Sequence, residues 1–404
     1  MKTVIGGILF LVLLFSVQAA ELTVPRFEMV TLGRTLNGDF SLASSVSLDL
    51  SLSGGYKYAL ALGFSFNSSD LAKTLAYRNF RFQPFTDPVM ADDLNDLTDQ
   101  INDMLNNQGT LSFRMVRASI SDLFKIPLEL SFFIGEGDDF CSGDEYTTRF
   151  GYDPIGTEYK GLFYFPSGIN GDINRRYNGI YGVRGTGLSL AFTKWNNFIP
   201  MIYFYESYSP FAFLAGTAGK PMFSGDFRFL LNYDSFKLEG FTGLSYMDSL
   251  IVRGGLLAHF YAGRAVEFLI QAGLSGWDLE QKLNIDNFFF LMEPRFRFGI
   301  FGINLTIFYH PVIYNNLPTP AEQGKADINL NFFAQIPGLD MRAGIEGNMS
   351  MKVDKMDDFT LFVAPYATFF TGGLLWDVKL RVNFLGKKIP QEMFEIFIGV
   401  KSSF

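Results

Sequence analysis

Apolar and polar residues alternate with a period of two along most of this chain. Phe40 and Leu42, then Val46, Leu48, Leu50 and Leu52, interleave with Ser41, Ala43, Ser45, Ser47, Asp49 and Ser51. Tyr56, Tyr58, Leu60, Leu62, Phe64 and Phe66 interleave with Lys57, Ala59, Ala61, Gly63 and Ser65. Successive side chains of a β-strand point to opposite faces, so each stretch predicts a strand with one apolar face. Gly54-Gly55 between the two is a hairpin signal. The pattern returns around Asp234-Ser235, with Phe223, Phe227, Phe229, Leu231 and Tyr233 before it and Phe236, Leu238, Leu244 and Tyr246 after it. Val266, Phe268, Ile270 and Leu274 make another face, and Ile328, Leu330 and Phe332 oppose Asp327, Asn329 and Asn331. Leu339, Met341, Ala343, Ile345 and Met349 oppose Asp340, Arg342, Glu346 and Asn348. Trp376, Val378, Leu380, Val382 and Phe384 oppose Asp377, Lys379, Arg381 and Asn383.

Two stretches without Asp, Glu, Lys or Arg, 298–321 and 359–376, have the length of a membrane helix. Pro311 and Asn315-Asn316 interrupt the first, and Pro365 and Gly372-Gly373 the second. Each reads better as a hairpin, because closed barrels satisfy the backbone in lipid as helices do.

The final strand carries a more specific signal. Phe394, Ile396, Ile398, Val400, Ser402 and Phe404 alternate with Glu395, Phe397, Gly399, Lys401 and Ser403. This resembles the C-terminal strand of bacterial outer-membrane β-barrel proteins. The resemblance implies that Phe394, Ile396, Ile398, Val400 and Phe404 form the signal read by the barrel assembly machinery. The repeated dyad segments of about ten residues have the same meaning: apolar toward lipid, polar toward a lumen. The expected fold is an all-β, antiparallel up-and-down transmembrane barrel of about 16–20 strands, even in number.

Connection lengths agree. Those near Thr371–Gly373, Pro337-Gly338, Gly299, Ala262–Arg264, Asp234-Ser235 and Trp195–Asn197 are short. The intervening ones, 311–325, 276–286 and 207–221, run longer. Short turns on one side and long loops on the other suit such a barrel. Before Tyr177 the parity weakens and leaves 145–152 and 159–165 unassigned between strand and loop. One insertion, 67–109, breaks the pattern. Met90, Leu94, Leu97, Ile101, Met104 and Leu105 recur at helical spacing, with Asp92, Asp93, Asp96, Asp99 and Asp103 between them. They predict an acidic amphipathic helix near 90–106, packed on neighbouring loops or folded over the barrel mouth.

The N-terminus reads as a secretory signal over residues 1–19. Lys2 supplies charge, 5–15 is a short apolar run, and Val17 and Ala19 offer small residues for cleavage. The expected mature barrel is 20–404, in the bacterial outer membrane.

Composition narrows the chemistry. The 404 residues include 46 Phe, 18 Tyr and 40 Gly, and only 18% are charged, against about 25% in ordinary soluble domains. A single cysteine, Cys141, leaves no internal disulfide framework. A net charge of −8 argues against nucleic acid as a partner. An enzyme would need a base, and the two histidines, His259 and His310, adjoin no recognisable Ser or Asp motif. Glu136, Asp138, Asp139, Asp144 and Glu145 match no calcium loop and read as a solvated acidic loop. The glycines at 182, 185 and 187 lack the helix of a phosphate loop and read as strand glycines. No catalytic residue, metal or cofactor is expected.

Transport remains, with outer-membrane lipid and small solutes as partners. Strand parity turns Arg228, Arg253, Arg295, Arg297, Asp340, Arg342, Asp377, Lys379 and Arg381 inward as candidate pore-lining residues. Rings of such charge set selectivity, or opposite charges pair across strands and stiffen the wall. A porin-like channel is the leading expectation. Inward apolar residues, Phe241, Leu257, Phe289, Leu291 and Phe333, keep open a hydrophobic-compound transporter of the fatty-acid type. That family's N-terminal plug motif is not matched. A surface adhesin or structural barrel is the third reading.

Overall fold

The alternation closes into a barrel. A computed structural model describes residues 20–36, 39–54, 57–68, 110–151, 155–158, 179–193, 195, 197–208, 221–263, 265–310, 324–352, 355–385 and 390–402. The strands are β1 (Ala20–Leu36), β2 (Asp39–Gly54), β3 (Tyr58–Ser68), β4 (Thr110–Ile120), β5 (Leu128–Phe140) and β6 (Tyr181–Phe192). There follow β7 (Phe198–Tyr208), β8 (Pro221–Tyr233), β9 (Phe236–Tyr246), β10 (Leu250–Ala262), β11 (Val266–Asp278) and β12 (Phe288–Phe298). The last six are β13 (Phe301–His310), β14 (Lys325–Ile336), β15 (Met341–Lys352), β16 (Lys355–Thr371), β17 (Leu374–Asn383) and β18 (Phe394–Ser402). Each pairs antiparallel with its sequence neighbours, and β1 pairs with β18 from Phe27↔Ser402 to Arg34↔Glu395. Closure removes the free edges that an open sheet would expose. The strand count of 18 falls in the expected range.

The six short connections expected from the sequence all join strands at one end of the barrel. The 41-residue β3–β4 and 40-residue β5–β6 connections both leave the other end. The 90–106 helix, the signal segment, Phe404 and 159–165 lie outside the described residues. Of the unassigned stretch before Tyr177, Glu145–Phe150 is a helix, α1, and not a strand. Asp340 stands in the exposed turn 337–340 at φ 44°, before β15 begins. It therefore does not line the wall, which corrects the parity assignment. The dyad pattern includes two turn residues, Leu339 and Asp340, that precede the strand.

The two faces of the wall differ as the alternation requires. Phe223, Phe227, Leu244, Leu256, Phe290, Leu330, Phe332 and Ile345 are exposed on the outside, as are Phe394, Ile396 and Ile398 of the terminal strand. Inward neighbours such as Asn329, Asn331 and Phe397 are buried. Such an apolar outer belt suits lipid. Leu330, mid-strand and 52% exposed, tests this directly. Leu330→Arg is expected to lower stability by about 2–4 kcal/mol in vesicles, and Leu339→Arg, in the end turn, by about 0–1. Urea titration of the two variants folded in vesicles measures the difference.

The interior is not an empty pore. Gly135 at φ 90° faces Gly185 at φ 143° in the β5–β6 register. A Cβ on Gly135 would stand 2.1 Å from the Arg114 carbonyl oxygen, so only glycine fits. Just beyond, an extra residue between Glu136 and Asp139 bulges β5. From there Phe140 leans across to the rings of Tyr203 on β7 and Phe241 on β9, centroids 5.0 Å away in each case. The described part of the β5–β6 connection, 141–151, 155–158 and 179–180, thus packs inside the lumen. Its Tyr146, Ile155 and Ile180 pack with inward Tyr203, Leu230, Leu257, Leu269, Phe289 and Leu291 in one apolar core.

Candidate functional site

The lumen is the candidate site, and the inserted connection divides it. On the β7–β13 side, apolar wall residues meet the insert and exclude water, the ordinary driving force of burial. Charged groups caught there are paired. Arg228 lies 2.7 Å from Glu239, both fully buried. Arg253 lies 2.7 Å from Asp226, both at most 1% exposed. Arg295 lies 2.6 Å from Glu293 and 3.5 Å from Glu267.

The insert is held by these same groups. The Cys141 amide donates to the Glu239 carboxylate, and Gln271 Nε2 donates to the Cys141 carbonyl at 2.6 Å. Burial, and then the Glu239 charge, push the Cys141 thiol well up, so it stays protonated and inert. Tyr146 of α1 donates to the Leu231 carbonyl at 3.0 Å. Arg149 makes a two-toothed contact with Glu129, at 2.8 and 3.0 Å. Further on, Glu293 accepts from the Thr157 hydroxyl, the Thr306 hydroxyl and the Glu158 amide. Leu231 and Glu129 lie near the short-turn end, so the insert reaches deep into the barrel.

On the opposite side, lined by β14–β18 and β1–β5, several charged side chains keep water contact, although Glu28, Glu346 and Lys379 are buried there and Val30, Leu32, Phe362 and Phe397 form a second, smaller apolar cluster. Arg26, Arg117 and Arg342 retain 29, 20 and 34% side-chain exposure, against 0–7% for Arg228, Arg253 and Arg295. This wall carries both signs, mostly in pairs. Arg26 meets Glu28 at 2.7 Å, and Arg114 bridges Asp49 and Glu136. Lys379 meets Glu346 at 3.2 Å, and Arg381 meets Glu395 at 3.2 Å while lying over the Phe362 ring at 3.9 Å. Asp377 accepts from the Thr368 hydroxyl.

Of the nine sequence candidates, all but Asp340 sit on inward positions, yet they do not form one ring. Arg228, Arg253 and Arg295 are buried, Arg228 under Asp139 and Phe140 where the insert begins, Arg295 against the Gly156 carbonyl of the insert, and Arg253 among Asp226, Tyr181 and Tyr205 of the wall. Arg297 and Arg342 meet the insert at Glu158, at 2.9 and 3.0 Å, whereas Asp377, Lys379 and Arg381 pair with residues of other wall strands. Glu136, Asp138 and Asp139 are not a solvated loop. Asp138 is buried between Arg117 and Tyr203, Asp139 lies 3.0 Å from Arg184, and Glu136 lies 2.8 Å from Arg114. Tyr146, Arg149 and Glu158 escaped the sequence reading because the insert has neither dyad nor heptad order. The one visible cue is a run of small and turn residues, Gly151, Pro154 and Gly156, among aromatics.

His259 faces inward at 2% exposure, its ring edge-on to Tyr261 at 4.5 Å and its Nε2 3.5 Å from Glu267. That is a packed wall histidine beside a carboxylate. His310 ends β13 in register with Lys325. Among the described residues no three His, Cys, Asp or Glu side chains are grouped to hold a metal.

No protein-family model matches the chain, and no curated protein matches it in sequence. Solved structures share its architecture. Acinetobacter baumannii OccAB3 superposes with a TM-score of 0.53 at 9% identity, covering 95% of this chain and 99% of that one. Salmonella typhi OmpF, in complex with daunomycin, gives 0.43 at 10% identity over 95% and 97% of the two chains. A variant of Rh. blastica porin gives 0.42 at 10% identity over 96% and 100%. At such identities the OccAB3 likeness concerns the fold: this is a closed barrel of the porin type.

Proposed function

We propose that this chain is a porin-like channel of the bacterial outer membrane that passes small solutes. A barrel of about 16–18 strands leaves an aqueous path unless something fills it. The observation carrying the reading is the one-sided filling: an apolar core fixes the insert to β7–β13, while charged side chains opposite keep contact with water. The solutes then travel a narrowed path along β14–β18 and β1–β5. The terminal strand, with Phe394, Ile396 and Ile398 outward, serves as the assembly signal in this reading.

The apolar inward residues that favoured a hydrophobic-compound transporter have another use. Phe241, Leu257, Phe289 and Leu291 belong to the core that seats the insert. Phe333 lies beneath the guanidinium groups of Arg297 and Arg342, at 5.0 and 4.3 Å. An adhesin reading has no described surface feature in its favour.

Planar-bilayer recording tests the proposal. Purified protein is expected to give small, stable open steps with weak ion selectivity, because most lumen charges are paired. Arg342→Gln, at the exposed wall, is expected to shift the reversal potential toward cations. Arg295→Gln, behind the insert, is expected to leave it unchanged. Folded, membrane-inserted protein without open steps would sink the channel reading. A selectivity change confined to Arg295→Gln would contradict the placement of the path.

A further inference from the structure

Glu158 is placed as a ligand is placed in a receptor. Its Oε1 lies 2.9 Å from Arg297 Nη2, and its Oε2 lies 3.0 Å from Arg342 Nη1 and 2.7 Å from Asn304 Nδ2. The receptor is preorganised by the wall. Asn304 Oδ1 accepts from Arg297 Nη1 at 2.7 Å, which turns the amide nitrogen toward the Glu158 carboxylate. The Phe333 ring supports both guanidinium groups. Three donors from β12, β13 and β15 therefore converge on two oxygens of one planar carboxylate.

Two further observations separate this contact from a structural clamp. Glu158, Arg297 and Arg342 are 24, 25 and 34% exposed, whereas the neighbouring clamp Glu293 is fully buried. The backbone beside Glu158 is also anchored without its side chain. Glu293 accepts from the Thr157 hydroxyl and the Glu158 amide, and Arg295 donates to the Gly156 carbonyl at 2.8 Å. The seat of the insert at 156–158 therefore does not depend on the Glu158 carboxylate alone. Burial alone would raise that carboxyl, but Arg342, then Arg295 and Arg297, outweigh it and hold it below the usual range. It is thus a charged occupant of a cationic site.

We propose that Arg297, Arg342 and Asn304 form a carboxylate-binding site on the lumen wall. Glu158 occupies it in the resting protein, and a soluble monocarboxylate exchanges with Glu158 there. The proposal rests on the channel reading for how the anion arrives, though binding itself needs no conduction. A tethered occupant competes at a high effective concentration, so its removal must strengthen binding of a free carboxylate.

Calorimetric titration of the full chain in detergent, with benzoate as the probe and benzamide as its uncharged counterpart, tests this separately from transport. Glu158→Gln is expected to bind benzoate at least about tenfold more tightly than the natural chain. Adding Arg297→Gln and Arg342→Gln is expected to abolish the gain. Glu158→Asp keeps the charge but shortens its reach, and is expected to give a smaller gain. It serves as the readout if Glu158→Gln fails to fold, with heat-modifiable gel migration reporting the folded barrel. Equal benzoate affinity in the natural chain and the Glu158 variants would overturn the proposal. So would binding that survives loss of both arginines, benzamide binding as tightly as benzoate, or inorganic phosphate binding more tightly than benzoate. A chain that binds benzoate as expected but never conducts would overturn the channel reading alone.

Discussion

Glu239→Ala is expected to destabilise the folded barrel by about 3–5 kcal/mol, the cost of leaving a buried charge without its partner. Glu239 and Arg228 are both fully buried, on adjacent strands β9 and β8. Without the carboxylate, Arg228 would keep the Phe140 ring at 5.0 Å and the Asp139 carbonyl at 3.4 Å as its near neighbours. The Cys141 amide would lose its acceptor at the point where the insert leaves β5. One substitution thus takes the nearest counter-charge from a buried cation, leaving it the more distant Asp138 and Glu145, and unpins the insert. The pair is nevertheless incompletely satisfied, because Arg228 Nη1 and Glu239 Oε2 have no protein partner. Replacing both by apolar residues of similar volume, Arg228→Met with Glu239→Leu, is therefore expected to recover much of the loss but not all of it, because the Cys141 amide still lacks its acceptor. Urea titration in vesicles measures both. A single variant losing under about 1 kcal/mol would mean that water reaches Arg228, and that the core does not seal the insert against β8 and β9.

The wall of this barrel was legible because its environment is two-sided. Lipid outside and polar groups inside impose strict alternation on β2, β3, β14 and β17, and a strand has no other period to offer. Turn residues such as Gly299, Gly338 and Gly372 sit at positive φ where the reading placed turns. The alternation could also say that Arg228 and Arg342 point inward. It could not say that one is sealed and the other wet, since that depends on a segment distant in sequence. The insert was illegible for a related reason. Its side chains pack on partners such as Leu257, Phe289 and Arg297, contributed by strands roughly a hundred or more residues away, so no local periodicity records them. Asp138 and Asp139 looked solvated because Arg117, Arg184 and Tyr203 come from other strands. Asp340 was misplaced because a turn with φ 44° breaks the strand parity that the count assumed.

Where the insert lies decides how wide the path through the barrel is. Ile180 N donates to the Phe140 carbonyl at 2.9 Å, so the two ends of the β5–β6 connection are adjacent. Residues 142–179 can therefore be replaced by a short Asn-Gly turn without parting β5 from β6. Excision would bare Leu230, Leu257, Phe289 and Leu291 to water, so a less stable barrel is expected. The strands that close the wall would remain. The decisive measurement is single-channel conductance of the excised chain beside the full chain, in the same bilayer and salt. A several-fold larger open step in the excised chain is the result expected if the insert narrows the path. An unchanged step from a correctly folded excised barrel would contradict it, and would place the connection outside the conducting lumen.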